Sequence, residues 1–142
     1  MKYRIIDYDV IGTGKPVLII HGWGISKLTM KGAFEPIFCE VDGYKRFYID
    51  LPGMGDSEHG DVKNSDDILK LLHGFGVDII KEPFMIIGQS YAGLLARGFV
   101  NKYPELIRKI ILLVTCMIPG VKKGNVEQLK AGKQCIHCFS AF

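Results

Sequence analysis

The chain has 142 residues, of which 48% are hydrophobic and 23% are charged, and its formal net charge is +3. This composition is ordinary for one globular domain with its own core. Residues 1–120 carry 14 basic and 14 acidic side chains, so the excess positive charge lies in residues 121–142. Because binding to nucleic acid requires a clustered basic surface, the neutral body argues against nucleic acid as the main partner.

The sequence contains no segment typical of export or membrane insertion. Its N-terminal residues lack the apolar stretch and the cleavage site of a signal peptide. The longest apolar run, Ile110 to Ile118, is far shorter than the roughly 18 residues of a membrane span. We therefore expect a cytoplasmic protein with no membrane partner. In a reducing compartment its cysteines are expected to be free thiols, namely Cys39, Cys116, Cys135 and Cys138.

The first half of the chain alternates apolar runs with turns and a helical pattern. Tyr3 to Val10 is rich in β-forming residues and predicts an opening strand or hairpin. Pro16 to Ile20 is continuously apolar, as expected of a central parallel strand that is buried on both faces. A helix is expected within Ile25 to Cys39, and Tyr44 to Leu51 predicts the next strand.

Two further helical patterns continue this alternation. Asn64 to Asp67 is a good helix start with Ser65 as the candidate N-cap, and apolar residues recur at helical spacing as far as Ile80. The second pattern ends at Tyr103, and Ile107 to Val114 predicts another buried strand. Alternating strands and helices predict an α/β fold, a mostly parallel sheet with flanking helices.

A sharp corner is expected around Ser90. Phe84 to Gly88 reads as a buried strand, Ser90 follows two residues later, and a helical pattern starts at once. A nucleophilic serine at such a corner needs small neighbours, which Gly88, Ala92 and Gly93 supply. Amide N–H groups at the start of the following helix would point toward a developing oxyanion. Taken alone, the motif also fits an ordinary serine at a helix N-cap.

Three motifs, in this order and spacing, resemble those of the α/β-hydrolase family. Gly88-Gln89-Ser90-Tyr91-Ala92 is similar to the Gly-X-Ser-X-Gly nucleophile elbow, with Ala in place of the second Gly. His21-Gly22-Trp23-Gly24 resembles the loop that opens the family's oxyanion hole. The segment from Asp50 to Ser57 matches the pattern Asp-X-Pro-Gly-X-Gly-X-Ser. The resemblance extends over roughly residues 3–118.

The resemblance implies a serine esterase or a related hydrolase. Ser90 would attack the ester, thioester or amide carbonyl of a small molecule, with no cofactor and no metal. The backbone N–H groups of Trp23 and Tyr91 would form the oxyanion hole. Structural roles in the loops around the site are implied for His21, Gly22, Asp50, Gly53 and Gly88. His21 precedes the nucleophile, whereas the family's chain order is serine, acid, histidine, so a structural role is favoured over that of general base.

The resemblance stops near Gly120, which implies the N-terminal part of a truncated α/β-hydrolase fold. Residues 121–142 are predicted to be an atypical basic tail, aberrant or disordered, with no convincing strand. His137 is the one histidine downstream of Ser90, and no segment after it would hold it in place. The acid and the histidine of a catalytic triad are therefore expected to be missing.

Alternatives to an active hydrolase stay open on the sequence alone. The chain could be an inactive fragment or a small non-enzymatic binding protein, and an unpaired sheet edge would favour self-association. Cys135 and Cys138 with His137 could bind zinc, but a structural zinc site needs a fourth ligand, such as Cys116 or Cys39.

Overall fold

The computed structural model describes residues 5–115 and the backbone of residues 137–138. Its strands are β1 (Tyr8–Ile11), β2 (Lys15–Ile20), β3 (Tyr44–Ile49), β4 (Phe84–Gln89), β5 (Ile107–Leu113) and β6 (His137–Cys138). Its α-helices are α1 (Lys27–Phe38), α2 (Ser65–Phe75) and α3 (Tyr91–Lys102). A π-helical turn (Gly76–Ile80) extends α2, and a 3-10 turn (Pro104–Leu106) precedes β5. The predicted α/β fold is confirmed.

The described strands form one mixed sheet in the order β1-β3-β2-β4-β5-β6. Only the pairing of β1 with β3 is antiparallel, and every other neighbouring pair is parallel. The carboxyl ends of β2, β3, β4 and β5 therefore lie along one edge of the sheet. The loops that follow them meet there, which brings His21, Asp50 and Ser90 to the same side of the molecule.

Apolar side chains bury both faces of the sheet. The larger cluster joins one face to α2 and α3 and includes Phe47, Phe75, Phe84 and Phe99. The smaller cluster joins the other face to α1 through Met30, with Val17, Ile19, Tyr48 and Ile87. Residues 17–20 of β2 are fully buried, which explains why this strand has no polar alternation in the sequence.

Two local predictions are wrong. The N-cap of α2 is Asn64 and not Ser65, because the Asn64 side-chain oxygen accepts a hydrogen bond of 3.0 Å from the Asp67 backbone N–H. A strand also occurs where the sequence predicts none, since His137–Cys138 pairs with Ile111 and Leu112 of β5. A strand of two residues is too short to give a recognisable apolar pattern in the sequence. Only its pairing with β5 defines it.

Other predictions lie outside what the described residues test. The zinc hypothesis rests on Cys135, His137 and Cys138, whose side chains lie outside the described residues, as does Cys116, one of its two candidate fourth ligands. Within those residues Cys39 is an exposed free thiol. No helix among them is long and apolar enough to cross a bilayer. Cytoplasmic location and self-association at a sheet edge stay predictions.

The approach of α3 to β4 gives a first test of the fold. A Cβ atom on Gly88 would lie 2.3 Å from the Ala92 carbonyl oxygen. Since that atom belongs to the backbone, α3 would have to shift, and we expect Gly88→Ala to lower the free energy of unfolding by roughly 1–3 kcal/mol. Urea unfolding followed by circular dichroism measures the change.

The matched control is Gly32→Ala within α1, where a Cβ atom would meet nothing within 4 Å. There the same substitution should raise the free energy of unfolding by about 0.5–1 kcal/mol, since alanine is the better helix former. A neutral or stabilising Gly88→Ala would show that the contact between α3 and β4 does not require glycine.

Candidate active site

Ser90 forms the corner between β4 and α3 in a backbone conformation that non-glycine residues rarely adopt. Its φ is 53° and its ψ is −116°, and such conformations cost on the order of 1–3 kcal/mol. The Ser90 N–H donates to the Leu113 carbonyl at 2.9 Å, and the Ser90 carbonyl accepts from the Gly93 N–H at 3.0 Å. The corner is thus held by β5 on one side and by the first turn of α3 on the other.

Three glycines leave room for this corner. Gly88 allows the close approach of α3 described above. A Cβ atom on Gly22 would lie 2.4 Å from Gln89 Oε1 and 3.1 Å from Ser90 Cβ. One on Gly93 would lie 2.6 Å from Thr115 Oγ1. The loop after β2 and the Ser90 corner therefore pack directly against each other, and a side chain at Gly22 would separate them.

His21 is fully buried and connects the loops that follow β2 and β3. Its Nε2 accepts a hydrogen bond of 3.0 Å from the Leu51 N–H, so its Nδ1–H donates to the Gly22 carbonyl at 2.7 Å. Burial, together with the nearby Lys27 charge, lowers the pKa of His21, although the Gly22 carbonyl and the Asp50 carboxylate act to raise it. The imidazole is therefore neutral near pH 7, and both of its nitrogens are engaged in the two loops.

A buried lysine lies at the start of α1, beside these loops. Lys27 is 4% exposed. Its Nζ lies 2.8 Å from Asp50 Oδ2 and 3.1 Å from Asp56 Oδ2, and it also donates to Asp7 Oδ2. The Lys27 backbone N–H donates to Asp50 Oδ1 at 2.6 Å. We call these four residues the Lys27 cluster.

Within the Lys27 cluster the lysine supplies a positive charge between the carboxylates. Oxygen atoms of Asp7, Asp50 and Asp56 lie within 4.8 Å of one another, a spacing that a cation could bridge. The Lys27 ammonium already provides that positive charge. Buried carboxylates need such a partner, because an unpaired buried charge is strongly destabilising.

Asp50 stays ionised although its side chain is buried. Burial alone would raise the pKa of this carboxyl, but it accepts hydrogen bonds from the Lys27 ammonium and from the backbone N–H groups of Asp56 and Lys27. Together these donors hold the pKa of Asp50 below its usual value. Burial likewise acts to lower the pKa of Lys27, and the carboxylates of Asp50, Asp7 and Asp56 outweigh it and raise that pKa. Both groups are ionised at neutral pH.

The loop that follows β3 wraps around Asp50. The Asp56 N–H donates to Asp50 Oδ2 at 3.0 Å, and the Ser57 hydroxyl donates to the Asp50 carbonyl at 2.7 Å. Gly55 has a φ of 54°, and a Cβ atom there would lie 2.2 Å from the Asp50 carboxylate. Gly53, with a φ of 74°, faces the His59 ring, which a Cβ atom would approach to 3.1 Å. These glycines allow the tight turn and the close packing.

The side chains of Trp23 and Tyr91, the residues that follow Gly22 and Ser90, contact each other. Their rings are edge to face, with centroids 5.5 Å apart. The Tyr91 hydroxyl lies 2.8 Å from Ser65 Oγ at the start of α2. A cavity of about 520 Å³ adjoins the pair. Its lining consists of Trp23, Gly24, Pro52, Gly53, Met54, His59, Val62, Lys63, Asn64, Ser65, Ile68 and Tyr91.

Two other histidines, His59 and His73, also have side-chain contacts in the described part of the chain. His59 Nδ1–H donates to the Gly60 carbonyl at 2.9 Å. The His73 ring stacks on Tyr103, with ring centroids 4.1 Å apart.

The motifs in the sequence indicate the loops that meet at the site, but no sequence pattern indicated that Lys27 or Asp7 belongs to it. A lysine after a loop and an aspartate before a strand have no distinctive pattern.

Comparisons with known proteins identify a family and several relatives for this chain. A model of the α/β hydrolase fold family matches residues 15–133. Pimeloyl-[acyl-carrier protein] methyl ester esterase of Shewanella woodyi is 29% identical over 112 residues, which are 78% of this chain and 40% of that protein. The biotin biosynthesis bifunctional protein BioHC of Teredinibacter turnerae is 32% identical over 119 residues, which are 82% of this chain and 20% of that protein.

Solved structures give the same result. An α/β superfamily hydrolase from Oenococcus oeni superposes with a TM-score of 0.71 at 32% identity, over 78% of this chain and 41% of that one. A thermophilic esterase from Thermogutta terrifontis superposes with a TM-score of 0.69 at 26% identity, over 78% of this chain and 40% of that one.

The chain belongs to the α/β hydrolase fold family. It spans 40% of the length of the Shewanella woodyi relative. The family match over residues 15–133 includes all three motifs. The family match runs past residue 120, and a boundary at that residue stays a prediction.

Substitution of Lys27 tests the importance of the Lys27 cluster. Lys27→Met removes the ammonium and leaves the Asp50 side chain, which is 1% exposed, with an uncompensated charge. We expect the free energy of unfolding to fall by about 3–5 kcal/mol. Lys31→Met is the control, because Lys31 pairs with Asp9 at 2.8 Å with both side chains 35% exposed, and such pairs contribute about 0–1 kcal/mol. Equal losses in the two variants, measured by urea unfolding, would contradict this assignment.

The depressed pKa of Asp50 predicts a dependence of stability on pH. Since its pKa is lower in the folded than in the unfolded chain, Asp50 stabilises the fold above its unfolded pKa of about 3.9. That stabilisation is lost as the pH falls through the folded value. We expect Asp50→Asn to lose less stability than the wild type between about pH 5 and pH 2, as measured by urea unfolding at each pH. Parallel losses would show that Asp50 does not carry the effect.

Proposed function

We propose that this chain is the nucleophile-bearing part of a serine hydrolase that acts on the carbonyl of a small ester, thioester or amide. The single observation that carries the proposal is the backbone of Ser90, whose positive φ is maintained between β5 and α3. A strained serine at a strand-to-helix corner is the arrangement that exposes a nucleophilic oxygen at the edge of the sheet. Ordinary N-cap serines have extended backbone and need no such strain.

In the proposed reaction, Ser90 Oγ attacks the carbonyl carbon while its proton passes to a base. The carbonyl oxygen becomes negative in the tetrahedral intermediate, and the backbone N–H groups of Trp23 and Tyr91 are proposed to stabilise it. The bond to the leaving group then breaks, the leaving group takes a proton, and an acyl ester of Ser90 remains. Water repeats the sequence and releases the carboxylic acid, so no cofactor is consumed.

His21, Gly22, Asp50, Gly53 and Gly88 are proposed to position this machinery. The Gly22 contact with Ser90 supports a loop that brings Trp23 to the nucleophile. His21 bonds that loop to Leu51, and Asp50 bonds the start of α1. Because Ser Oγ is a weak nucleophile without a base, efficient turnover also needs a histidine and an acid. We propose that these belong to the part of the relatives' length that this chain does not span.

The relatives support an ester as the substrate. Several similar proteins are named as methyl ester esterases, and the Thermogutta terrifontis structure is also an esterase. We therefore propose a carboxylic ester of a small molecule as the substrate class of the whole enzyme, without a metal.

A second candidate is a protein that binds acyl compounds without hydrolysing them. The observation that favours it is the arrangement of the described histidines, since His21, His59 and His73 are engaged with the Gly22 carbonyl, the Gly60 carbonyl and the Tyr103 ring. If the general base belongs to the part of the relatives' length that this chain does not span, the chain would keep its cavity but react slowly.

Labelling with a fluorophosphonate probe distinguishes the two candidates. We expect the 142-residue chain to be labelled through Ser90, but far more slowly than a complete family esterase because the proposed base lies outside it, and the Ser90→Ala variant to be unlabelled. Ser26→Ala is the matched control, because Ser26 is the N-cap of α1 and its side chain makes no capping hydrogen bond, so labelling should persist. Gel fluorescence and mass spectrometry of the labelled peptide provide the measurement. A folded wild-type chain that is never labelled would favour the binding protein.

A further inference from the structure

His21 connects two loops of the site only while its imidazole is neutral. Its Nε2 accepts a hydrogen bond of 3.0 Å from the Leu51 N–H, and its Nδ1–H donates to the Gly22 carbonyl at 2.7 Å. An imidazolium carries a proton on both nitrogens and accepts no hydrogen bond. Protonation of His21 would therefore break the bond to Leu51, which joins the loop after β2 to the loop after β3.

A buried carboxylate lies beside the same nitrogen. Asp50 Oδ1 is 3.5 Å from His21 Nε2, and both side chains are at most 1% exposed. An anion at this distance favours the protonated form of an imidazole. Without a compensating charge, Asp50 would draw a proton onto the nitrogen that the Leu51 N–H now occupies. The geometry of His21 therefore depends on what neutralises Asp50.

Lys27 engages both oxygens of this carboxylate. Its Nζ lies 2.8 Å from Asp50 Oδ2, and its backbone N–H donates at 2.6 Å to Asp50 Oδ1, the oxygen that faces His21. The pair of ammonium and carboxylate has no net charge. The Lys27 charge also acts directly to lower the pKa of His21. Both effects oppose the protonation of His21.

The other two carboxylates of the Lys27 cluster do not change this balance. The side chains of Asp7 and Asp56 are 46% and 79% exposed, whereas that of Asp50 is 1% exposed. Water therefore screens the charges of Asp7 and Asp56, and the buried balance is between one lysine and one aspartate. Among the described residues, Asp50 and Lys27 are the charged groups that act on His21.

We propose that Lys27 is a positioning residue, which keeps His21 neutral and thereby holds the loop of Gly22 and Trp23 against the Ser90 corner. A Cβ atom on Gly22 would lie 3.1 Å from Ser90 Cβ, so a movement of this loop reaches the nucleophile directly. The effect of Lys27 on His21 stands by itself, whereas its effect on the reaction of Ser90 rests on the proposed function.

The protonation of His21 in the full chain tests the proposal. Correlation of imidazole 1H and 15N signals by NMR reports the proton on each ring nitrogen. We expect wild-type His21 to carry its proton on Nδ1 alone at pH 7. In Lys27→Met the pKa of His21 should rise by roughly 1–3 pH units, because Asp50 is left unpaired. A His21 pKa that is unchanged in this variant would overturn the proposal.

A double variant separates charge from packing. Lys27→Met combined with Asp50→Asn removes both charges, and we expect His21 to return to the neutral form. If Lys27 acted through packing alone, the double variant would disturb His21 at least as much as the single one. Should Lys27→Met fail to fold, Lys27→Gln replaces it, since glutamine keeps a donor for Asp50 without the charge. A neutral His21 with unchanged pKa in Lys27→Gln would then overturn the proposal.

Arg46→Met is the matched control. Arg46 is a second buried cation between β3 and α1, where it bonds both carboxylate oxygens of Glu35 at 3.0 and 2.6 Å. It is not among the charges that act on His21. This variant should lose stability and leave the pKa of His21 unchanged. An equal rise of that pKa in Arg46→Met would show that general loosening of the fold causes it, and would overturn the proposal.

Fluorophosphonate labelling extends the test to Ser90. Among folded variants at pH 7, we expect Lys27→Met to be labelled at least tenfold more slowly than Arg46→Met, with partial recovery when Asp50→Asn is added. Equal labelling rates of the two single variants would overturn the positioning role of Lys27. A wild-type chain that is never labelled would contradict only the proposed hydrolysis, and the NMR measurement would still decide whether Lys27 keeps His21 neutral.

Discussion

The ion pair between Lys27 and Asp50 is the interaction on which the arrangement of the loops depends. It lies where the N-terminal segment, the start of α1 and the loop after β3 meet, through Asp7, Lys27, Asp50 and Asp56. Because the pair is buried, each charge is tolerable only with its partner in place. The backbone is held at the same point, since the Asp50 N–H donates to the Asp7 carbonyl at 2.9 Å. A single lysine therefore keeps three chain segments in one geometry.

Two further contacts connect the loops around the Lys27 cluster to the Ser90 corner. His21 connects the loop after β2 to Leu51, and Gly22 brings that loop into contact with the Ser90 corner. The strain stored at Ser90 persists because β5 and α3 both hold its backbone. Backbone strain is tolerated where the surrounding contacts leave no other conformation open. The Lys27 cluster contributes to these surroundings because it holds the neighbouring loops. Stability and the geometry proposed for catalysis therefore depend on the same buried contacts.

The cavity beside Trp23 and Tyr91 depends on the same loops. Its walls come from the loops that the buried ion pair and His21 position, and its floor is part of the main core. Trp23 is the exception, since its ring is held by one aromatic contact and otherwise faces solvent. The described part of the chain thus combines a hydrogen-bonded corner at Ser90 with a largely apolar cavity near it.

The sequence alone determined the alternation of strands and helices, because the continuous apolar run of β2 and the helical spacing of α2 are local patterns. It also indicated the Ser90 corner, since small residues around a serine between a strand and a helix imply a close approach. Only the tertiary structure showed that Lys27 is buried among three carboxylates, because ion partners 20 to 29 positions apart leave no local pattern. It likewise assigned the α2 cap to Asn64 and joined Trp23 to Tyr91. Such contacts depend on how separate loops meet at the edge of the sheet, which residue spacing does not encode.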